Sequence, residues 1–109
     1  PCAAYDTACS AALVAGHAAL RALQLSECSA GLVCAVNLML LPAAGVACAT
    51  AGMTSARGHC HTFDARADGY CRGEALCAVA LGCRASEAEV PLALAGSCVR
   101  QDGKSASLT

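Results

Sequence analysis

The sequence has no tryptophan, one phenylalanine and two tyrosines, and only 7 basic and 8 acidic residues among 109. With so few cations and aromatic faces, and a formal charge of −1, the chain lacks what a nucleic-acid surface needs: phosphate neutralisation and base stacking. No Asn-x-Ser/Thr sequon is present, since Asn37 precedes Leu38 and Met39. Phosphate-binding loops, G-x-G-x-x-G, G-x-S-x-G and H-E-x-x-H are missing as well. Without a Cys-x-x-Cys pair, the usual zinc-ribbon and thioredoxin-like signatures are excluded, and neither a metal nor another cofactor is expected.

What the chain has in abundance is alanine and cysteine. Hydrophobic types make up 57% of the residues, which excludes disorder for most of the length. Ten cysteines in 109 residues lie in the range where a short chain reads as a disulfide scaffold. The even count allows all of Cys2, Cys9, Cys28, Cys34, Cys48, Cys60, Cys71, Cys77, Cys83 and Cys98 to pair. Symmetry about helical hairpins suggests Cys83 with Cys98 and Cys2 with Cys48. Such a framework belongs to an oxidising compartment, so the expected localisation is secreted, extracellular.

Alanine and leucine favour helix, and β-branched residues are few. Cys2, Tyr5, Cys9, Leu13, Gly16, Leu20 and Leu23 recur at steps of three and four, predicting a helix over 6–25. Ser26 is an N-cap candidate for a second helix over 27–41, Pro42 opens a third to about Gly52, and a fourth spans about 73–82. Ser86 and Glu89 have capping-box spacing for a fifth, which alternatively begins at Pro91. Cysteines 71, 77 and 83 would then point about 120° apart around one helix. The expected fold is a small all-α bundle of four to five short helices, stapled by five intrachain disulfides. It would form a single domain over 1–100, followed by a polar tail over 101–109.

Two segments break the uniformity. From Cys28 to Ala56 there is no charge at all, a stretch read as buried core, as the lining of an apolar cavity, or as a membrane-active segment. Buried core is favoured over membrane contact, because Pro42 and Asn37 interrupt the run. As a carrier site for a sterol or fatty acid it would use Leu32, Val36, Met39 and Leu40. From Arg57 to Glu74 there are six of the fifteen charges and two of three histidines. His59, His61, Asp64 and Asp68 could bind a cation or pair as base and orienting acid, but a solvated polar loop is the favoured reading.

Loops held by a stapled scaffold commonly carry recognition. The sequence therefore points to a non-enzymatic secreted protein of toxin, defence or signalling type, binding an extracellular protein target. Arg57, His59, His61, Phe63, Arg66, Tyr70 and Arg72 are its candidate contacts. The apolar carrier is the alternative, with membrane permeabilisation behind it. A chain so apolar could also bury a patch by forming a homodimer.

Overall fold

The computed structural model describes residues 1–83, 92–104 and 106. A 3-10 turn, Ala8–Ser10, leads into α1 (Ala11–Gln24), followed by β1 (Ala30–Asn37), α2 (Pro42–Thr50) and β2 (Ala75–Gly82). β1 and β2 pair as a two-stranded sheet. The chain divides into two units. The first comprises Pro1–Ala35 and Cys77–Lys104, the second Val36–Leu76 and Ser105–Thr109.

In the first unit, α1 lies within the predicted first helix, and its stripe buries Leu23, the one buried hydrophobic side chain among the described residues. Ser26 does not start a second helix; it ends the first. It takes a left-handed φ of 59°, and the Ser26 and Glu27 N–H groups donate to Leu23 and Ala22 carbonyls at 3.0 and 2.9 Å. This closing bend satisfies carbonyls that the last turn of α1 leaves open. The chain then runs extended as β1, with Gly31, Val33 and Ala35 alternately half-buried. A Cβ added at Gly31 would rest 3.6 Å from the Ala19 Cβ, so small residues let β1 pass close to α1.

In the second unit, Leu41 is extended and Pro42 occupies the first turn of α2, where its fixed φ suits a helix and its missing N–H costs nothing. Gly52, at φ 71°, closes α2 as Met53 N–H donates to the Cys48 carbonyl at 3.0 Å. A parallel bridge joins Thr54 to Tyr70, with Ser55 N–H donating to Tyr70 O and Tyr70 N–H to Met53 O, each at 3.0 Å.

The all-α expectation is overturned. Two of the predicted helices, over 27–41 and 73–82, are replaced by β1 and β2. Alanine's helix preference is only a few tenths of a kcal/mol per residue, and strand pairing overrides it. Short apolar runs carry no periodicity that separates a strand from a buried helix. The uncharged stretch is therefore strand, connection and short helix. No helix of the described residues is long and apolar enough to cross a membrane. The predicted fifth helix falls largely on residues outside those described.

The disulfide framework is overturned too: Cys2, Cys9, Cys28, Cys34, Cys48, Cys60, Cys71, Cys77, Cys83 and Cys98 are all free thiols. The two suggested pairings fall with it. The Cys83 thiol turns to the Leu23 carbonyl at 3.9 Å, and that of Cys98 to its neighbour's carbonyl, Val99 O, at 3.8 Å. Of cysteines 71, 77 and 83, only Cys77 lies in a regular element, and that element is β2.

Candidate functional site

The entry to α1 is a constrained turn of the first unit. Ala8 has φ 55°, a left-handed conformation that costs an ordinary L-residue roughly 1–2 kcal/mol. The neighbouring polar residues hold it there. Asp6 Oδ1 accepts the Ala8 N–H at 3.2 Å, and the Ser10 hydroxyl donates to the Thr7 carbonyl at 3.0 Å. The Thr7 and Ser10 hydroxyls lie 2.9 Å apart, so with Ser10 donating to the carbonyl, Thr7 donates to Ser10. The result is a side-chain clamp around one residue, Cys9, whose thiol is exposed at the head of a 14-residue helix.

Aligned peptide dipoles make that helix end electropositive; the first turn of α1 holds no acidic residue, and the Asp6 carboxylate stands in the turn before it. A strained turn that presents a nucleophile immediately ahead of a helix is a recurrent device for attack on carbonyl carbon. Strain at Ala8 means that Ala8→Val should lower stability by roughly 1–2 kcal/mol while Ala8→Gly should not, because a β-branched residue tolerates a left-handed φ least. Thermal melts of the two variants check this.

The sequence-predicted contacts of the charged loop lie in the second unit, and most face one another. Arg57 Nε donates to Asp68 Oδ2 at 3.0 Å and its Nη2 to the Arg66 carbonyl at 2.7 Å. Arg66 grips Asp64 through Nε at 3.0 Å and Nη2 at 2.7 Å, and its backbone N–H adds a third bond at 2.8 Å. Arg72 turns to the Cys48 sulfur at 3.0 Å and the Tyr70 hydroxyl at 3.5 Å. The hydrogen bond to Cys48, then burial, pushes the Tyr70 phenol above its ordinary value. His59 and His61 stack edge to face with ring centres 5.9 Å apart, and His61 Nδ1 stands 4.0 Å from Asp68 Oδ1. Phe63, at φ 59°, is fully exposed. Arg57 and Arg66 are thus paired with carboxylates within the loop, while Arg72 turns to Cys48 on α2.

Two carboxyls in this loop titrate low: Asp64 because Arg66 holds its ionised form, and Asp68 through the Ser55 hydroxyl and then Arg57. Depressed values mean that these pairings contribute above the ordinary value of 3.8 and are lost as pH falls through the lowered ones. Carboxyl carbon shifts in a pH titration should therefore place both midpoints below 3.8, with the loop intact at neutral pH.

The apolar-ligand set does not come together. Leu32 lines a cavity of about 620 Å³ in the first unit, facing Ala15, Ala18 and Ala22 of α1. Val36, Met39 and Leu40 are not among its lining and are exposed. Among the described residues no group of His, Cys, Asp or Glu side chains could hold a metal ion.

Sequence reasoning placed Cys9 on the apolar stripe of the first helix and counted it as a staple. The signal that could have singled it out is the run Asp6-Thr7-Ala8-Cys9-Ser10, which supplies three polar turn-formers around a thiol at the start of an amphipathic helix.

Comparison with known proteins bears on this turn. Residues 1–88 match the model of the β-ketoacyl synthase N-terminal domain. Over its whole length the chain is 43% identical to one of the phenolphthiocerol/phthiocerol polyketide synthase polypeptides of Mycobacterium tuberculosis, spanning 5% of that protein. It is 41% identical over 99% of its length to another polypeptide of the same name in that organism, spanning 6%. An oxazolomycin ketosynthase domain of Streptomyces albus superposes with a TM-score of 0.74 at 36% identity, over 77% of this chain and 15% of that one. The chain thus has the α/β, thiolase-like fold of a ketosynthase N-terminal domain. These findings overturn the reading of a secreted toxin, defence or signalling binder, and with it the expectation that the chain is no enzyme: its relatives are polyketide synthase ketosynthase domains. With about four-fifths of its residues matched to one family, the chain belongs to the β-ketoacyl synthases, as part of their N-terminal domain.

Proposed function

We propose that this chain is the nucleophile-bearing part of a polyketide synthase ketosynthase, and that Cys9 carries the acyl group during carbon–carbon bond formation. The observation that carries the reading is the clamped, left-handed Ala8 turn, which exposes Cys9 at the positive end of α1. Making a β-ketoacyl product joins the carbonyl carbon of one acyl thioester to the α-carbon of another. A thiol suits the first half of that task. Its sulfur attacks the incoming thioester carbonyl, an oxyanion forms and collapses, and the donor thiol leaves with a proton. The acyl group now sits on Cys9 as a thioester of similar energy, ready for attack by the carbanion of the second substrate. That attack releases the Cys9 sulfur and leaves the lengthened β-ketoacyl chain on its carrier.

The positive end of α1 favours the negative charge that develops on the oxyanion beside the sulfur. The chain spans 15% of the solved ketosynthase, so the groups that move protons and hold the second thioester are assigned to the rest of the enzyme. Alkylation tests the reading. Iodoacetamide should remove condensation activity in proportion to modification of the Cys9 peptide, and prior incubation with an acyl thioester should protect both. Activity that survives complete alkylation of Cys9 would overturn it.

A further inference from the structure

In the second unit two cysteines meet at the neck of the charged loop. The Cys71 N–H donates to the Cys60 sulfur at 3.0 Å, and that sulfur lies 3.8 Å from the Cys71 carbonyl oxygen. Among the described residues these are the only hydrogen bonds that join one cysteine to another. Bond lengths then put the two Cα atoms within about 7 Å even along a straight path, and a disulfide spans roughly 4.4–6.8 Å. Ser55 ties both arms of the neck together. Its N–H donates to the Tyr70 carbonyl at 3.0 Å, its carbonyl accepts the Gly58 N–H at 3.3 Å, and its hydroxyl accepts the Arg57 N–H at 3.2 Å. Arg57 crosses to Asp68 at 3.0 Å. Both cysteines are exposed, so a small reagent can reach either sulfur. The Cys71 thiol is turned to the Arg72 carbonyl at 3.6 Å, so pairing requires rotation about its Cα–Cβ bond.

We propose that Cys60 and Cys71 form a reversible dithiol–disulfide pair, oxidised by exchange with a low-molecular-weight disulfide. The Cys60 thiol gives up its proton, and its sulfur attacks one sulfur of the small disulfide. That S–S bond breaks, and the departing small thiol takes the proton. Cys71 then gives up its own proton and attacks the Cys60 sulfur of the mixed disulfide, and the second small thiol leaves with that proton. The two protein sulfurs are together oxidised by two electrons, and the small disulfide is reduced by two to a pair of thiols. Excess small thiol runs the same steps backwards. The bridge is thus one redox state of two free thiols and not a permanent staple. In that state it closes residues 61–70 into a covalent ring, with His61, Phe63, Asp64 and Asp68 inside it.

The test is a redox titration of the folded protein in mixtures of reduced and oxidised glutathione. Samples are quenched in acid, digested with trypsin without reduction and examined by mass spectrometry. Cleavage after Arg57, Arg66 and Arg72 puts the two cysteines on separate peptides, 58–66 and 67–72, so their bridge appears as a linked pair. That pair should be at least about tenfold more abundant than any other linked pair among the ten cysteines. Reduced glutathione in excess should return both peptides to free thiols. The same titration in concentrated urea needs no variant to fold. There loop closure alone decides, and pairs six residues apart, Cys28–Cys34 and Cys77–Cys83, should overtake a pair eleven apart. If Cys60 and Cys71 stop at separate glutathione adducts in the folded protein, or if Cys71 links to Cys77 instead, the proposal is overturned. A Cys60–Cys71 preference that persists unchanged in urea overturns it as well, since the fold would then not be its source.

Discussion

Replacing Cys9 with alanine should abolish condensation, lowering the rate on the order of 10⁴-fold or more, because removing a covalent nucleophile removes a whole reaction path and not one contact. Stability should hardly move. The side chain is exposed and makes no disulfide, so the loss should stay within about 0.5 kcal/mol. The pairing of these two results is what gives the experiment force, since a Cys9 that merely supports the turn would lose activity and stability together. Serine is the informative second substitution. It keeps the size and a hydroxyl but is a far weaker nucleophile without an adjacent base, so Cys9→Ser should remain close to the alanine variant in activity. If alanine at position 9 leaves condensation intact in a folded protein, the acyl group is carried elsewhere.

The second large effect is structural. Gly69 sits at φ 125°, and a Cβ built on it would lie 2.5 Å from Thr54 C, 2.6 Å from Ser55 N and 2.8 Å from Met53 O. All three are backbone atoms, so no flexible side chain can swing away. This is the point at which the 53–55 and 69–70 segments exchange the hydrogen bonds of the Thr54–Tyr70 bridge. Gly69→Ala must therefore either break the bridge or force an unfavourable φ, and should cost more than about 3 kcal/mol. Gly45 provides the contrast within the same unit. It lies in α2, has nothing within 4 Å of an added Cβ and does not need a positive φ. Gly45→Ala should stabilise by about 0.5–1 kcal/mol through helix propensity. Denaturant melts of the two variants should move in opposite directions. A Gly69→Ala protein as stable as its parent would show that the two segments do not approach this closely.

The two substitutions also mark what could be read from the residues alone. The stripe from Leu13 to Leu23 and the start at Pro42 are local signals, and α1 and α2 follow them. β1 and β2 left no such trace. Gly31, Val33 and Ala35 alternate inward, but with side chains so small that the period of two is barely expressed in hydrophobicity. Nor is the approach of Gly69 to Thr54 visible in sequence, because it depends on two backbones fifteen residues apart.

The candidate site was hidden for a different reason. Ten cysteines in a short chain made a disulfide framework the strongest compositional reading, and it absorbed Cys9 as one staple among ten. That reading leaves the charged loop as the place for function, yet Arg57 and Arg66 there are committed to Asp68 and Asp64. Composition weighs cysteines equally. Only the backbone at Ala8, with Asp6, Thr7 and Ser10 holding it, sets one of them apart.

The most direct measurement is therefore of the acyl group itself. The protein is incubated with a simple acyl thioester, quenched in acid, digested and examined peptide by peptide by mass spectrometry. A nucleophilic Cys9 predicts one acyl mass on the peptide containing it, removed by hydroxylamine as a thioester should be, and absent from the Cys9→Ala protein. An acyl group found instead on another cysteine, or one that persists on the Cys9→Ala protein, would contradict that role.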